Sequence, residues 1–222
     1  MESRNLMQVE AAGRAAIYGV FARLFMDPLD CVTLASLGTD ASAVFDGLVD
    51  LGVDAPSVEF IRAACLDASD ARSKELAVEY AALFEAHGRI HPFASCWVPG
   101  AKPLLLGPPA AAAQSFYTQA GVGLDSANAY RADHVGIELG FLALLAQRMV
   151  DAPDEQVQQF SDTYTRFLSE AVLPWMPRFF EAVAADPRAH FYAAAARAAR
   201  HFMEIDVSAV QDTEGEGVRA AR

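Results

Sequence analysis

Asp133, His134 and Glu138 are the residues of this chain whose types and spacing could do chemistry. His134 and Glu138 are four apart, so on a helix their side chains share one face. An imidazole and a carboxylate placed that way can fill two positions around a metal ion, with further ligands from a facing segment. His87 and His91 are the available donors, but both lie in a stretch broken by glycine and proline. The plainer assignment is structural. Asp133 caps a helix start, where its charge suits the dipole, and the other two side chains hydrogen-bond locally. Ser95 and Cys96 follow a proline-containing turn near His91, yet no GxSxG elbow surrounds them, so a nucleophile has little support. Neither GxxxxGK[ST] nor GxGxxG occurs, so no phosphate loop or dinucleotide fingerprint is present.

The polar group leads into a greasy segment, 132–150, with Val135, Leu139, Leu142, Ala146 and Met149 at helical spacing. Ile137, Phe141, Leu144 and Leu145 lie on other faces, so the helix is apolar nearly all round and must be enclosed by protein. The chain is therefore expected to be all-α, a single helical domain of about nine or ten helices packed around this central one. Abundant alanine and the lack of alternating apolar and polar residues agree.

The other helices are read from their punctuation. The first runs from about Ser3 to Met26 and is stopped by Asp27-Pro28. Helices near 30–37 and 41–51 end at Gly38 and Gly52. Asp54 and Ser69 or Asp70 cap the next two, the second ending at Gly88. Residues 87–109 form a long apolar loop, and 110–120 a short helix ended by Gly121. Residues 122–131 form a connector and possible hinge. Asp151-Ala-Pro153 opens a helix that Pro174 interrupts, another covers 174–185, and Pro187 starts the last. From Asp206 the composition turns small and charged, so 206–222 reads as a disordered tail behind a domain of residues 1–205.

A formal charge of −12 disfavours nucleic acid and anionic membranes and favours a cationic peptide. Three widely spaced cysteines without a CxxC fit a reducing compartment. The N-terminal stretch has no apolar signal core, and the uncharged stretch 103–124 is interrupted by prolines and glycines. A soluble cytoplasmic protein with no stable membrane insertion is the expectation. The loop 87–109 and the connector 122–131 flank the polar cluster and could form an apolar groove with acidic groups at its edge. Such a groove suits a hydrophobic peptide carrying basic residues.

Several motifs in order carry a family resemblance. Tyr80-Ala-Ala-Leu83-Phe84, then Pro92-Phe93-Ala94-Ser95, resembles the YxxLF…PYES stretch of the TorD/DmsD family of redox-enzyme maturation chaperones, to which NarJ-type proteins are more distantly related. Residues 132–139 look like its PxDHxxxEL motif, and 167–179 resemble its EHLxxW segment. Phe191-Tyr192 is similar to the FY of its last helix. The resemblance covers about residues 10–205 and implies an all-helical fold with no catalysis and no cofactor or metal of its own. Its members bind the twin-arginine leader of a molybdopterin-containing oxidoreductase, hold the apo-enzyme until its cofactor is inserted, and delay export. Carried across by position, Phe93, Ser95, Trp97, Asp133, His134 and Glu138 would form the peptide-binding region. Monomers, and dimers that exchange a helical segment, are both expected, with 122–131 as the place for exchange. Arg131 stands where the family has proline, Phe93-Ala94 replaces Tyr-Glu, and Ala171 replaces a histidine. The alternatives are a metal-dependent enzyme using His134 and Glu138, and a helical assembly factor for another metalloenzyme.

Overall fold

Proline and short polar side chains divide the chain into helices. A computed structural model describes residues 2–85, 88–98, 107–125 and 131–220, with side chains described between 7 and 212. Among these are ten α-helices: α1 (Glu2–Met26), α2 (Cys31–Asp40), α3 (Ser42–Asp50), α4 (Ala55–Leu66), α5 (Asp70–Phe84), α6 (Pro108–Gln119), α7 (Val135–Asp151), α8 (Asp154–Phe167), α9 (Met176–Ala185) and α10 (Phe191–Ala220). The fold is all-α; among the described residues the only β pairing is an isolated antiparallel bridge between Phe93 and His134.

The caps expected at Asp54 and Ser69 are in place, whereas α8 starts behind Pro153 with no side-chain cap from Asp151. Asp30, Asp54 and Ser69 accept the backbone N–H of Thr33, Ser57 and Arg72, which would otherwise be orphaned in the first turn. Pro56, Pro108 and Pro177 sit in first turns, where no N–H is needed. Gly52 and Gly121 take positive φ, +81° and +69°, just past helix ends. Before Pro174 the chain does not stop abruptly. It loosens into a π-helical turn, Leu168–Val172.

Three boundaries differ from the sequence expectation. Gly38 does not end a helix but lies inside α2. A Cβ there would sit 2.7 Å from the Cys65 carbonyl oxygen, so the glycine serves the close approach of α2 and α4. Helix α5 stops at Phe84, ahead of Gly88. The last helix begins at Phe191 instead of Pro187, and its cap comes from far away. The Glu79 carboxylate of α5 accepts the N–H groups of His190, Phe191 and Tyr192 at 2.8, 3.2 and 2.8 Å.

Helix α7 occupies the centre, with Val135, Leu139, Leu142, Leu145 and Ala146 fully buried. Its most extensive partner is α1, followed by α8. Helices α1 and α7 run antiparallel: Met26 meets Gly136 at one end, and the Gln8 amide donates to the Val150 carbonyl at the other. No described helix is long and apolar enough to cross a membrane.

The expected tail at 206–222 needs correcting. Helix α10 continues unbroken past Asp206 to Ala220. Asp206 is only 2 % exposed and accepts from Arg14 Nε (2.5 Å), the Tyr18 hydroxyl (2.8 Å) and the Tyr164 hydroxyl (2.5 Å). This cluster joins α1, α8 and α10. At Asp206 the polar side chain is not an exit from the core, because its one carboxylate satisfies three buried donors.

Candidate functional site

The start of α7 is sewn to the loop 91–98 by backbone. Ala94 N–H donates to the Asp133 carbonyl and Val135 N–H to the Pro92 carbonyl, both at 2.9 Å. The side chain of Asp133 continues the seam. Its Oδ2 accepts from the Ser95 N–H at 2.8 Å and the Ser95 hydroxyl at 2.5 Å, fixing the 3-10 turn Ala94–Cys96. Trp97 Nε1 closes the loop on the His91 carbonyl at 2.7 Å, and its ring packs edge-on against Phe179. Phe93 rests edge-on against the His134 ring.

Asp133 does not cap α7; His134 does. Its Nδ1 accepts the Gly136 N–H at 3.1 Å. The Arg131 guanidinium lies 3.2 Å from its other ring nitrogen, Nε2. Burial, with the Arg131 charge beside it, pushes the His134 pKa down to about 3. Arg131 is held independently by the Met26 carbonyl (2.7 Å) and Asp27 (3.0 Å), so it ties the end of the connector to the C-terminus of α1. Cations suit that position, where carbonyls lack partners. Glu138, one turn into α7, accepts the Trp175 indole N–H at 2.9 Å. Burial holds its carboxyl well above the usual range; the indole bond opposes this and the Asp133 charge adds to it.

Ser95, Asp133, His134 and Glu138 are each about 1 % exposed, whereas Phe93 and Trp97 are half-buried. The six positions expected to bind peptide are thus adjacent, but only the two aromatic ones reach the surface. The metal alternative loses its geometry. His134 is a cap with Nδ1 already engaged, Glu138 is spent on Trp175, and no three potential ligands converge among the described residues. His91 is exposed, and His87 lies outside the described residues, as do 99–106 and 126–130. The Cys96 thiol is pushed up by burial and by the Asp133 charge, the opposite of an activated nucleophile.

Alongside this seam is a recess that the sequence reading did not identify. It measures 310 Å³ and lies between α1 and the first half of α7, closed at the sides by Tyr117 of α6 and by Val122 and Leu124. Gly136, Gly140 and Ala22 leave its floor low, and Met26, Ile137, Phe141 and Leu144 supply apolar walls. The one signal available in the sequence was the pair of glycines four apart on a single face of an otherwise bulky helix.

Residues 48–181 match the model of the family described as nitrate reductase delta subunit. The chain belongs to that family. The matched stretch includes the loop 91–98, the whole of α7 and the Trp175 that holds Glu138, but not α1 or α10. Similarity to proteins named Chaperone protein TorD extends over more of the chain. One from Shewanella loihica is 27% identical over 205 residues, 89% of this chain and 92% of that protein. One from Aeromonas salmonicida is 28% identical over 200 residues, covering 88% and 90%, and one from a Psychrobacter species is 27% identical over 185 residues, covering 81% and 82%.

Proposed function

We propose that this redox-enzyme maturation chaperone works in the cytoplasm by capturing the twin-arginine leader and the apo-form of a molybdopterin-containing oxidoreductase. It holds the client until cofactor insertion and delays export, transforming nothing itself. The observation that carries this reading is an open apolar recess of 310 Å³ beside the central helix of a family member with a formal charge of −12. An apolar hollow in an acidic molecule suits a ligand that is greasy along one stretch and basic beside it. Phe93 and Trp97 offer aromatic surface to the client. Ser95, Asp133, His134 and Glu138 contribute from beneath, by holding the aromatic loop and the start of α7 in position. The protein acts as a monomer or as a dimer exchanging a segment at the connector 122–131, which sedimentation distinguishes.

Calorimetric titration with a twin-arginine leader from the same genome tests the reading. Heat of binding that weakens with added salt is expected, because the basic part of the ligand is attracted through solvent. Phe93→Ala and Trp97→Ala should each weaken binding in a chain that still folds. Absence of binding by any such leader and by the apo-subunit would refute the proposal.

A further inference from the structure

The two glycines under the recess do different work. A Cβ on Gly136 would lie 2.8 Å from Met26 Cα and 3.1 Å from the Ala22 carbonyl oxygen. Backbone blocks it, so Gly136 sets how closely α1 and α7 approach. A Cβ on Gly140 would meet only the Ala22 methyl, at 3.8 Å, an ordinary contact. Packing between the helices therefore leaves room for a side chain at Gly140. Mid-helix glycine costs about 1 kcal/mol relative to alanine, so the bare backbone is a loss for the fold alone. What it provides is depth, since Gly140 is half-exposed and lies on the floor of the recess.

The chemistry of the walls specifies the occupant. Among the described residues that line the recess, Arg23 is the one with a charged side chain, and its guanidinium is engaged by the Ser36 hydroxyl of α2 at 3.2 Å. An arginine or lysine pushed inside would lose its hydration without gaining a carboxylate. The molecule as a whole, at −12, still attracts a basic chain. A volume of 310 Å³ is at the small end of ligand pockets, room for one or two side chains but not for a folded segment.

We propose that Gly140 is the specificity-determining residue of this recess, making room for a bulky apolar side chain from the leader's apolar segment while the leader's basic residues stay outside. The inference rests on the leader-capture reading above. Gly140→Leu fills the recess from its floor, and Leu144→Lys places a charge in its wall from a half-buried position. Calorimetry with one leader, together with thermal melting of each protein, gives the test. Gly140→Leu should fold and bind at least tenfold more weakly than the unaltered chain. Shortening the bulky leader residue to alanine should weaken binding to the unaltered chain and change little for Gly140→Leu. Leu144→Lys supplies the same test should Gly140→Leu fail to fold. If the unaltered chain binds the leader and a folded variant binds it equally well, the role of Gly140 is refuted while leader capture stands. Loss of self-association in Gly140→Leu with leader affinity unchanged would likewise refute it, assigning the recess to a second copy of the chain. If the unaltered chain binds no leader, leader capture fails and this inference fails with it.

Discussion

Replacing Asp206 by alanine should destabilise this protein more than any ordinary surface change. The carboxylate is 2 % exposed and serves three donors at once. Without it the Arg14 guanidinium, whose side chain is 15 % exposed, loses its counter-ion within a mostly apolar setting. Breaking a buried pair on one side costs about 3–5 kcal/mol. The lower end applies here, because Arg14 keeps some contact with water and Glu10 lies 3.8 Å away. The Tyr18 and Tyr164 hydroxyls also lose their acceptor, but they are close enough to satisfy each other in part, adding about 1 kcal/mol. The total is about 4 kcal/mol, a large share of the roughly 5–15 kcal/mol that keeps a domain folded. For a chain of this size, that lowers the melting temperature by roughly 10 °C. Circular dichroism melting of Asp206→Ala reads the effect. A second change, Arg14→Met, should return part of the loss, because no unpaired charge is then buried. Truncation provides a companion measurement. A chain shortened after Ile205 should melt at least as low as Asp206→Ala, whereas one shortened after Val210 should melt with the full chain. If Asp206→Ala melts with the unaltered protein, the cluster does not hold α1, α8 and α10 together and the reasoning is refuted.

Gly136→Ala should cost about 1–3 kcal/mol through overpacking against Met26, outweighing the gain in helix propensity; a rise in the urea midpoint would contradict the close approach of α1 and α7. His134 makes stability depend on pH. Its pKa is near 6.5 in the unfolded chain and about 3 in the fold. Its contribution is therefore complete above pH 6.5 and is lost as the pH falls toward 3, by about 1.4 kcal/mol per pH unit. Glu138 acts in the opposite sense. Its raised pKa means its contribution is complete in acid and fades as the pH rises above the unfolded value. The informative quantity is consequently the difference between the unaltered protein and His134→Asn, which keeps a capping oxygen but does not titrate. Between pH 6.5 and 5 the unaltered protein should lose roughly 2 kcal/mol relative to the variant; parallel denaturation profiles would show that the imidazole is not buried in its neutral form.

The sequence by itself determined the class of fold and most of its punctuation. Helical spacing from Val135 to Met149, proline in first turns and capping by Asp30, Asp54 and Ser69 are local effects, settled within a few residues of chain. The greasy circumference of the 132–150 segment required a central position, because no other placement hides every face from water. Ordered motifs also placed the chain near its family, since they combine core positions with the residues that hold the loop 91–98.

Tertiary structure decided what the polar residues do. Asp133 resembles a helix cap in sequence, but the fold directs its carboxylate to Ser95 and leaves the cap to His134. Glu79 of α5 caps α10 more than a hundred residues away. Asp206 looked like the start of a tail and is a buried acceptor for three helices. Gly136 and Gly140 read alike in the sequence, yet one spaces two helices and the other opens a hollow. The reason is common to all of them: a hydrogen bond or a close approach across the chain depends on which surfaces meet, and that meeting leaves no periodic trace in the residues that make it.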